Sequence, residues 1–183
     1  MARAGKKNVP SSIFTCLKCG EMKVGKHTIK ISKNRLDMGG LPITTPGGIG
    51  LVTAVADHVF SGITVTLVAG ENLTSGQVCY LKSDGEMWLA KADAVLTAGS
   101  SMIGLATATI NDGDSGVFLL KGFFQDASVY NMTPCKPQFI SEATAGVITE
   151  TPPSTVTNIV RIVGYSKTAD IIYFDPDKCW VEV

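Results

Sequence analysis

The sequence predicts a mainly β protein, an antiparallel β-sandwich or small β-barrel with an extended N-terminal arm. Three observations predict it. Beyond residue 50 the apolar residues fall in short, alternating, β-branched runs. Gly, Asp, Asn and Pro turn signals separate those runs at roughly 8 to 12 residues, the spacing of sandwiches and barrels. Finally, 45% of the 183 residues are hydrophobic, enough to bury a core.

The runs follow in order. "ITVTLV" (63–68) alternates, and "GENLTSG" turns after it. "QVCYL" (77–81) and "EMWLA" (86–90) flank "KSDG", where Gly85 accepts the positive φ of a hairpin turn. "DAVLTAG" (93–99) is the one segment predicted to form a short helix. "MIGLATATI" (102–110) leads through "NDGDSG" into "VFLLKGFF" (117–124). "PQFIS" (137–141) and "GVITE" (146–150) flank "EATA". "NIVRIVGY" (158–165) and "IIYFD" (171–175) are expected as the closing pair. Cys79 reads as a small buried hydrophobe on its strand, and Trp88 as a packing residue.

The first fifty residues differ in kind. Residues 1–35 carry nine basic side chains against Glu21, a net charge of +8. Residues 36–183 carry seven basic and fifteen acidic side chains, a net charge of −8. "MGGLPITTPGGIG" (38–50) holds five glycines and two prolines and marks a linker or strap. The boundary falls here: 1–50 is a basic, Gly/Pro-containing arm, and 51–183 is a β-rich domain. Within the arm, "HTIKIS" (27–32) alternates like a strand with lysines on one face, suited to docking on another protein's free sheet edge.

The chemistry the residues offer is thin. Cys16 and Cys19 have the spacing of half a zinc site, and His27 follows. Zinc needs four ligands, and the fourth would have to come from far away, His58 being one candidate. No second C-x-x-C exists. The expectation is therefore no metal and no cofactor, with Cys16, Cys19 and His27 the set that a zinc ion would use. The five cysteines are scattered and odd in number, which argues against a disulfide framework. Of two histidines, His27 lies in the arm and His58 sits beside Asp57, where strand geometry points neighbours to opposite faces. No nucleophile elbow and no phosphate loop is present, so no enzyme is expected. The acid pair Asp112/Asp114 in "NDGDSG" fits Asx-turn chemistry without an ion. The arm's only aromatic is Phe14, which leaves little for base stacking and argues against nucleic acid. No run reaches the ~18 apolar residues of a spanning helix, and no leader segment is evident, so synthesis in a cytoplasm is expected.

From about residue 69 onward the chain resembles a domain of tailed-phage structural proteins, the capsid decoration (cement) proteins and head fibres. "AGENLTSGQVCYLKSDGEMWLAKADA", with Leu73, Gly76, Val78, Tyr80, Gly85 and Trp88, carries the resemblance. So do "IGLATATINDGDSG", "LLKGFF", "FISEATAGVITETPPS" and "VRIVGYSKTADIIYFDPD". It covers about 115 residues as a series of short motifs in order. Pro134-Cys135-Lys136-Pro137 departs from the glycine-rich approach expected there. The resemblance implies a non-enzymatic virion protein on the outer capsid surface, with the major capsid protein as partner and a homotrimer as its own assembly. Lys18, Lys23, Lys26, Lys30, Lys33 and Arg35 of the arm would then dock on the capsid. The competing readings are a head- or tail-fibre module that binds a host receptor, and a nucleic-acid-binding protein with a zinc-containing basic arm.

Overall fold

The computed structural model describes residues 21–24, 27–32, 35–37, 51 and 57–183. The chain divides into two compact units, Met1–Gly50 and Leu51–Val183. In the first, β1 (Glu21–Val24), β2 (His27–Ser32) and β3 (Arg35–Asp37) form an antiparallel sheet in the order β1-β2-β3. The predicted strand "HTIKIS" is β2, and it is the middle strand. Its two edges are filled by Met22↔Ile29 on one side and Ile31↔Leu36 on the other. An edge already paired cannot add to a partner's sheet, so docking of β2 on a free sheet edge is corrected by the strands on both sides of it.

The second unit is one strongly curled antiparallel sheet, a half-barrel. Its strands are β4 (Val59–Val68), β5 (Val78–Leu81), β6 (Met87–Leu89), β7 (Ile103–Ala106), β8 (Ser115–Gln125), β9 (Pro137–Ile140), β10 (Ile148–Thr149), β12 (Ile162–Ser166) and β13 (Ile171–Phe174). The order is β10-β9-β12-β13-β8-β7-β5-β6, with β4 also on β8. A separate small ladder joins β11 (Ile159–Val160) to β14 (Val181–Glu182).

The long strand β8 organises the curl. Along one edge it pairs with β4 from Ser115 to Gln125. Its other edge is shared: β7 takes Phe118 and Leu119, and β13 takes Gly122 to Gln125. One strand serving two successive neighbours on the same edge has to bend between them. Between them the β4 pairing steps from Ile63↔Lys121 to Thr64↔Leu119, so Leu120 is the extra residue of a bulge. Close by, Gly122 (φ +149) faces Gly62 of β4. A Cβ at Gly122 would lie 2.1 Å from the Ser61 carbonyl oxygen, and one at Gly62 would lie 2.1 Å from that of Lys121. Only paired glycines let the two backbones approach this closely.

Burial alternates, but between two cores rather than between core and water. Phe118 and Leu119 are adjacent and both fully buried. Phe118 packs with Leu73, Cys79 and Met87, while Leu119 packs with Val78, Leu105 and Phe124. Successive strand residues point to opposite faces, so the middle of the sheet is covered on both sides. This is why "VCYL" and "IGLA" read as near-continuous apolar runs. Cys79 is the buried strand residue its sequence predicts, and burial pushes its thiol far above the ordinary range.

The segment "DAVLTAG" forms a single π-turn, Val95–Gly99. Two elements differ from expectation. "NIVRIVGY" is two strands, broken at Arg161, and the chain closes on β14 rather than on "IIYF". Arg161 lies at the break between β11 and β12. Its buried Nη1 donates to the carbonyl oxygens of Ala98, Gly99 and Ser101 at 3.0, 2.6 and 3.0 Å, and its Nε donates to Asp177 O at 2.7 Å. These carbonyls end the π-turn, where helical hydrogen bonding leaves acceptors over. The break coincides with a change of partner: Ile159–Val160 pairs with β14, while Ile162–Ser166 pairs with β9 and β13.

Candidate functional site

Two features of the second unit can carry function. One is a polar cluster at the start of β4. The other is the outer edge of β4 itself.

The polar cluster joins residues far apart in sequence. The buried Asp126, just past the end of β8, accepts from Ser128 N at 3.1 Å and Ser128 Oγ at 2.6 Å on Oδ1. On Oδ2 it accepts from Ser75 Oγ at 2.9 Å, and His58 Nδ1 stands 2.9 Å away. Burial would raise the Asp126 pKa, but the hydrogen bonds from Ser128 and Ser75, with His58 beside it, hold it below the usual carboxylate range. Serine, histidine and aspartate thus meet, but not as a nucleophile relay. In a relay the imidazole stands between the other two, one nitrogen to each. Here the single nitrogen Nδ1 faces both Asp126 and Ser75 Oγ, the latter at 3.2 Å, and the serine hydroxyl donates to the carboxylate. The arrangement ties the start of β4 to the Ser75 loop and to the end of β8. His58 adopts φ +58 at the turn into β4, which aims its ring at Asp126 rather than at its neighbour Asp57. Asp57 instead accepts from Ala127 N at 2.9 Å.

The edge of β4 is different in character. "VFSGITVTLV" contains no charge and no proline across ten residues. Among the described residues, β4 pairs with β8 only. Ala69 N donates to Asp114 O at 2.9 Å, and Ala69 forms a parallel bridge with Met87, so the chain leaving β4 meets β6. Val59, Phe60 and Ile63 are exposed, Ile63 at 61%. The far edge of the sheet, at β6, is treated otherwise. There Gly70 N donates to Met87 O at 3.0 Å, and the Glu71 carboxylate accepts from Leu89 N at 2.8 Å. One edge is closed by its own chain. β4, by contrast, carries no charged residue and no proline from Val59 to Val68.

The sequence-predicted site residues fall as follows. Lys23, Lys30 and Arg35 lie on β1, β2 and β3, with Lys30 in register with Glu21 on one side and Asp37 on the other. Lys18, Lys26, Lys33, Cys16 and Cys19 lie outside the described residues. His27 begins β2. His58, the remote candidate for a fourth zinc ligand, is engaged with Asp126 and Ser75. Among the described residues no three metal-binding side chains converge. Sequence reasoning missed the β4 edge, and its signal was the absence of charge from Val59 to Val68.

Comparison with protein-family models, with curated proteins and with solved structures finds no match to this chain.

Proposed function

We propose that this chain is a non-enzymatic capsid decoration protein, which docks through its basic first unit and assembles with copies of itself through the second. The observation that carries the reading is the division of charge between the two compact units. Residues 1–50 hold nine basic and two acidic side chains, a net +7. Residues 51–183 hold seven basic and fourteen acidic ones, a net −7. Segregation of this kind steers one unit toward an acidic surface and turns the other away from it. The uncharged strand β4 supports self-association, because a second copy of it brings no like charges against it. The resemblance read from the sequence motifs after residue 69 motivates the viral setting.

The test is co-sedimentation with assembled capsids across a salt series, using the full chain and residues 51–183. The full chain should bind, and its binding should weaken with salt because exposed charges are screened beyond ~8 Å at physiological ionic strength. Equal binding by both forms would remove the first unit from the interface. Binding by neither would end the decoration reading.

A further inference from the structure

Arg161 is only 7% exposed, yet the four groups it donates to are neutral carbonyl oxygens. A buried charge is normally paired with an opposite one. Burial has the larger influence on the pKa of this guanidinium and lowers it, and the Asp177 charge offsets only part of that cost. The four bonds use Nε and Nη1. Nη2, with two further N–H groups, takes no part in them.

Arg161 also forms part of the wall of a cavity of about 430 Å³. Three parts of the second unit meet there: the end of the π-turn with the start of β7, Leu120 of β8, and the stretch leading into β14. The Trp180 ring packs directly on backbone at Gly99, where a Cβ would lie 3.0 Å from it. Two properties of the wall stand out. Its charged side chains, Arg161 and Lys178, are both basic, in a unit whose net charge is −7. The rest is largely apolar, with Trp180, Leu120, Ile103, Met102 and Pro176. The wall serines add no donor, because Ser100 Oγ donates to Val95 O and Ser101 Oγ to Leu96 O.

The geometry points to a binding site for a small organic carboxylate. Its anionic end meets the Arg161 guanidinium at Nη2, with Lys178 at the rim, and its apolar body lies against Trp180 and Leu120. A carboxylate supplies the counter-charge that the carbonyls do not, and charge-assisted bonds to guanidinium are roughly twice as strong as neutral ones. The volume falls in the range of small-molecule sites, which likewise combine an apolar wall with a few convergent polar groups. A neutral ligand would leave the buried charge uncompensated. Inorganic phosphate would satisfy the cations but leave the apolar wall uncovered. The site belongs to the second unit, so it does not depend on capsid docking by the first.

The experiment is calorimetric titration of the full chain with indole-3-acetate and octanoate, with indole-3-acetamide and octanamide as their neutral counterparts, and with inorganic phosphate. At least one carboxylate should bind, and its amide should bind at least roughly tenfold more weakly. Lys178→Glu should also weaken the carboxylate roughly tenfold, since it reverses the charge at the rim. Lys178 is exposed, so this variant keeps the fold, which circular dichroism checks. The chain has two tryptophans, and the ligand should shift the indole N–H resonance of Trp180 while leaving that of Trp88 in place. Binding of neither carboxylate, equal binding of acid and amide, binding of phosphate alone, affinity unchanged in Lys178→Glu, or a shift at Trp88 instead of Trp180 would each overturn the assignment.

Discussion

Arg161 Nη1 lies 2.6 Å from the carbonyl oxygen of Gly99, the last residue of the π-turn. Two further carbonyls share that nitrogen, and Nε holds a fourth oxygen at Asp177. Burial lowers the guanidinium pKa only from a value far above neutrality, so the charge persists. Arg161→Met keeps the apolar stem and removes every donor. It should cost roughly 3 kcal/mol by leaving buried acceptors unpaired, measured by urea denaturation. Arg161→Lys should recover only part, because an ammonium cannot reach across the same fork of acceptors. A loss below about 0.5 kcal/mol for the methionine variant would show that water replaces the guanidinium freely.

The crossing of β4 and β8 should tolerate nothing larger than hydrogen. Gly122→Ala combines a positive φ with a Cβ driven into the Ser61 carbonyl, and backbone atoms there have no rotamer to move. A destabilisation of about 2–3 kcal/mol is expected. Gly85→Ala serves as the control. It has a positive φ but nothing within 4 Å of the added Cβ, so it should cost about 1 kcal/mol. Equal costs at the two positions would mean that close approach contributes nothing at Gly122.

Trp88 should matter less than a core tryptophan. On β6 the fully buried neighbour is Met87, while Trp88 is half-buried with its ring over Gly70. Lys82 Nζ sits 3.5 Å from the ring centre. Trp88→Ala should cost about 2 kcal/mol from partial burial and the cation–π contact together. Truncating Lys82 should account for at most about 1 kcal/mol of this, as a double-mutant cycle would report. A cost above about 4 kcal/mol would place the ring in the core.

Acid should loosen the loop before β11. The Glu142 carboxylate accepts from Asn158 Nδ2, Thr155 N and Ser154 N at 2.8, 3.1 and 3.0 Å. Those hydrogen bonds, led by Asn158, lower its pKa from 4.5 to about 2. A depressed folded-state pKa gives stability that is complete above the unfolded value and disappears as pH falls toward the folded one. Amide-exchange protection at Ser154 and Thr155 should therefore persist above pH 4.5 and fade between there and about 2. In Glu142→Gln it should be weaker throughout and flat across that window. A pH profile in the variant identical to the parent's would assign the transition to another group.

What the sequence shows depends on how local the cause is. The β5–β6 hairpin is legible because its turn is made on the spot: Lys82 N donates to Glu86 O at 3.0 Å around Gly85 at φ +87. The burial of Cys79 is legible for the same reason. The break at Arg161 is not, because it marks a change of partner strand, from β14 to β9 and β13, that no local propensity reports. His58 shows the same limit. Its neighbour Asp57 points elsewhere, as alternation implies, but Asp126, the partner it meets, lies 68 residues on and leaves no local signal. The cross-strand neighbours Phe123, Tyr173 and Tyr165 are the extreme case. Each alternates correctly in its own strand, but only the sheet order makes them adjacent.

The strand order also sets a schedule. β4 ends at Val68, whereas its partner β8 begins only at Ser115. At about 5–20 residues per second, the ribosome exposes β4 for several seconds before anything of its own sheet can cover it. During that interval the strand is extended, uncharged and apolar, and identical strands hang from neighbouring ribosomes on the same message. Synthesis thus sets an interval in which β4 is made and β8 is not, and slowing translation between Val68 and Ser115 should lengthen it in proportion.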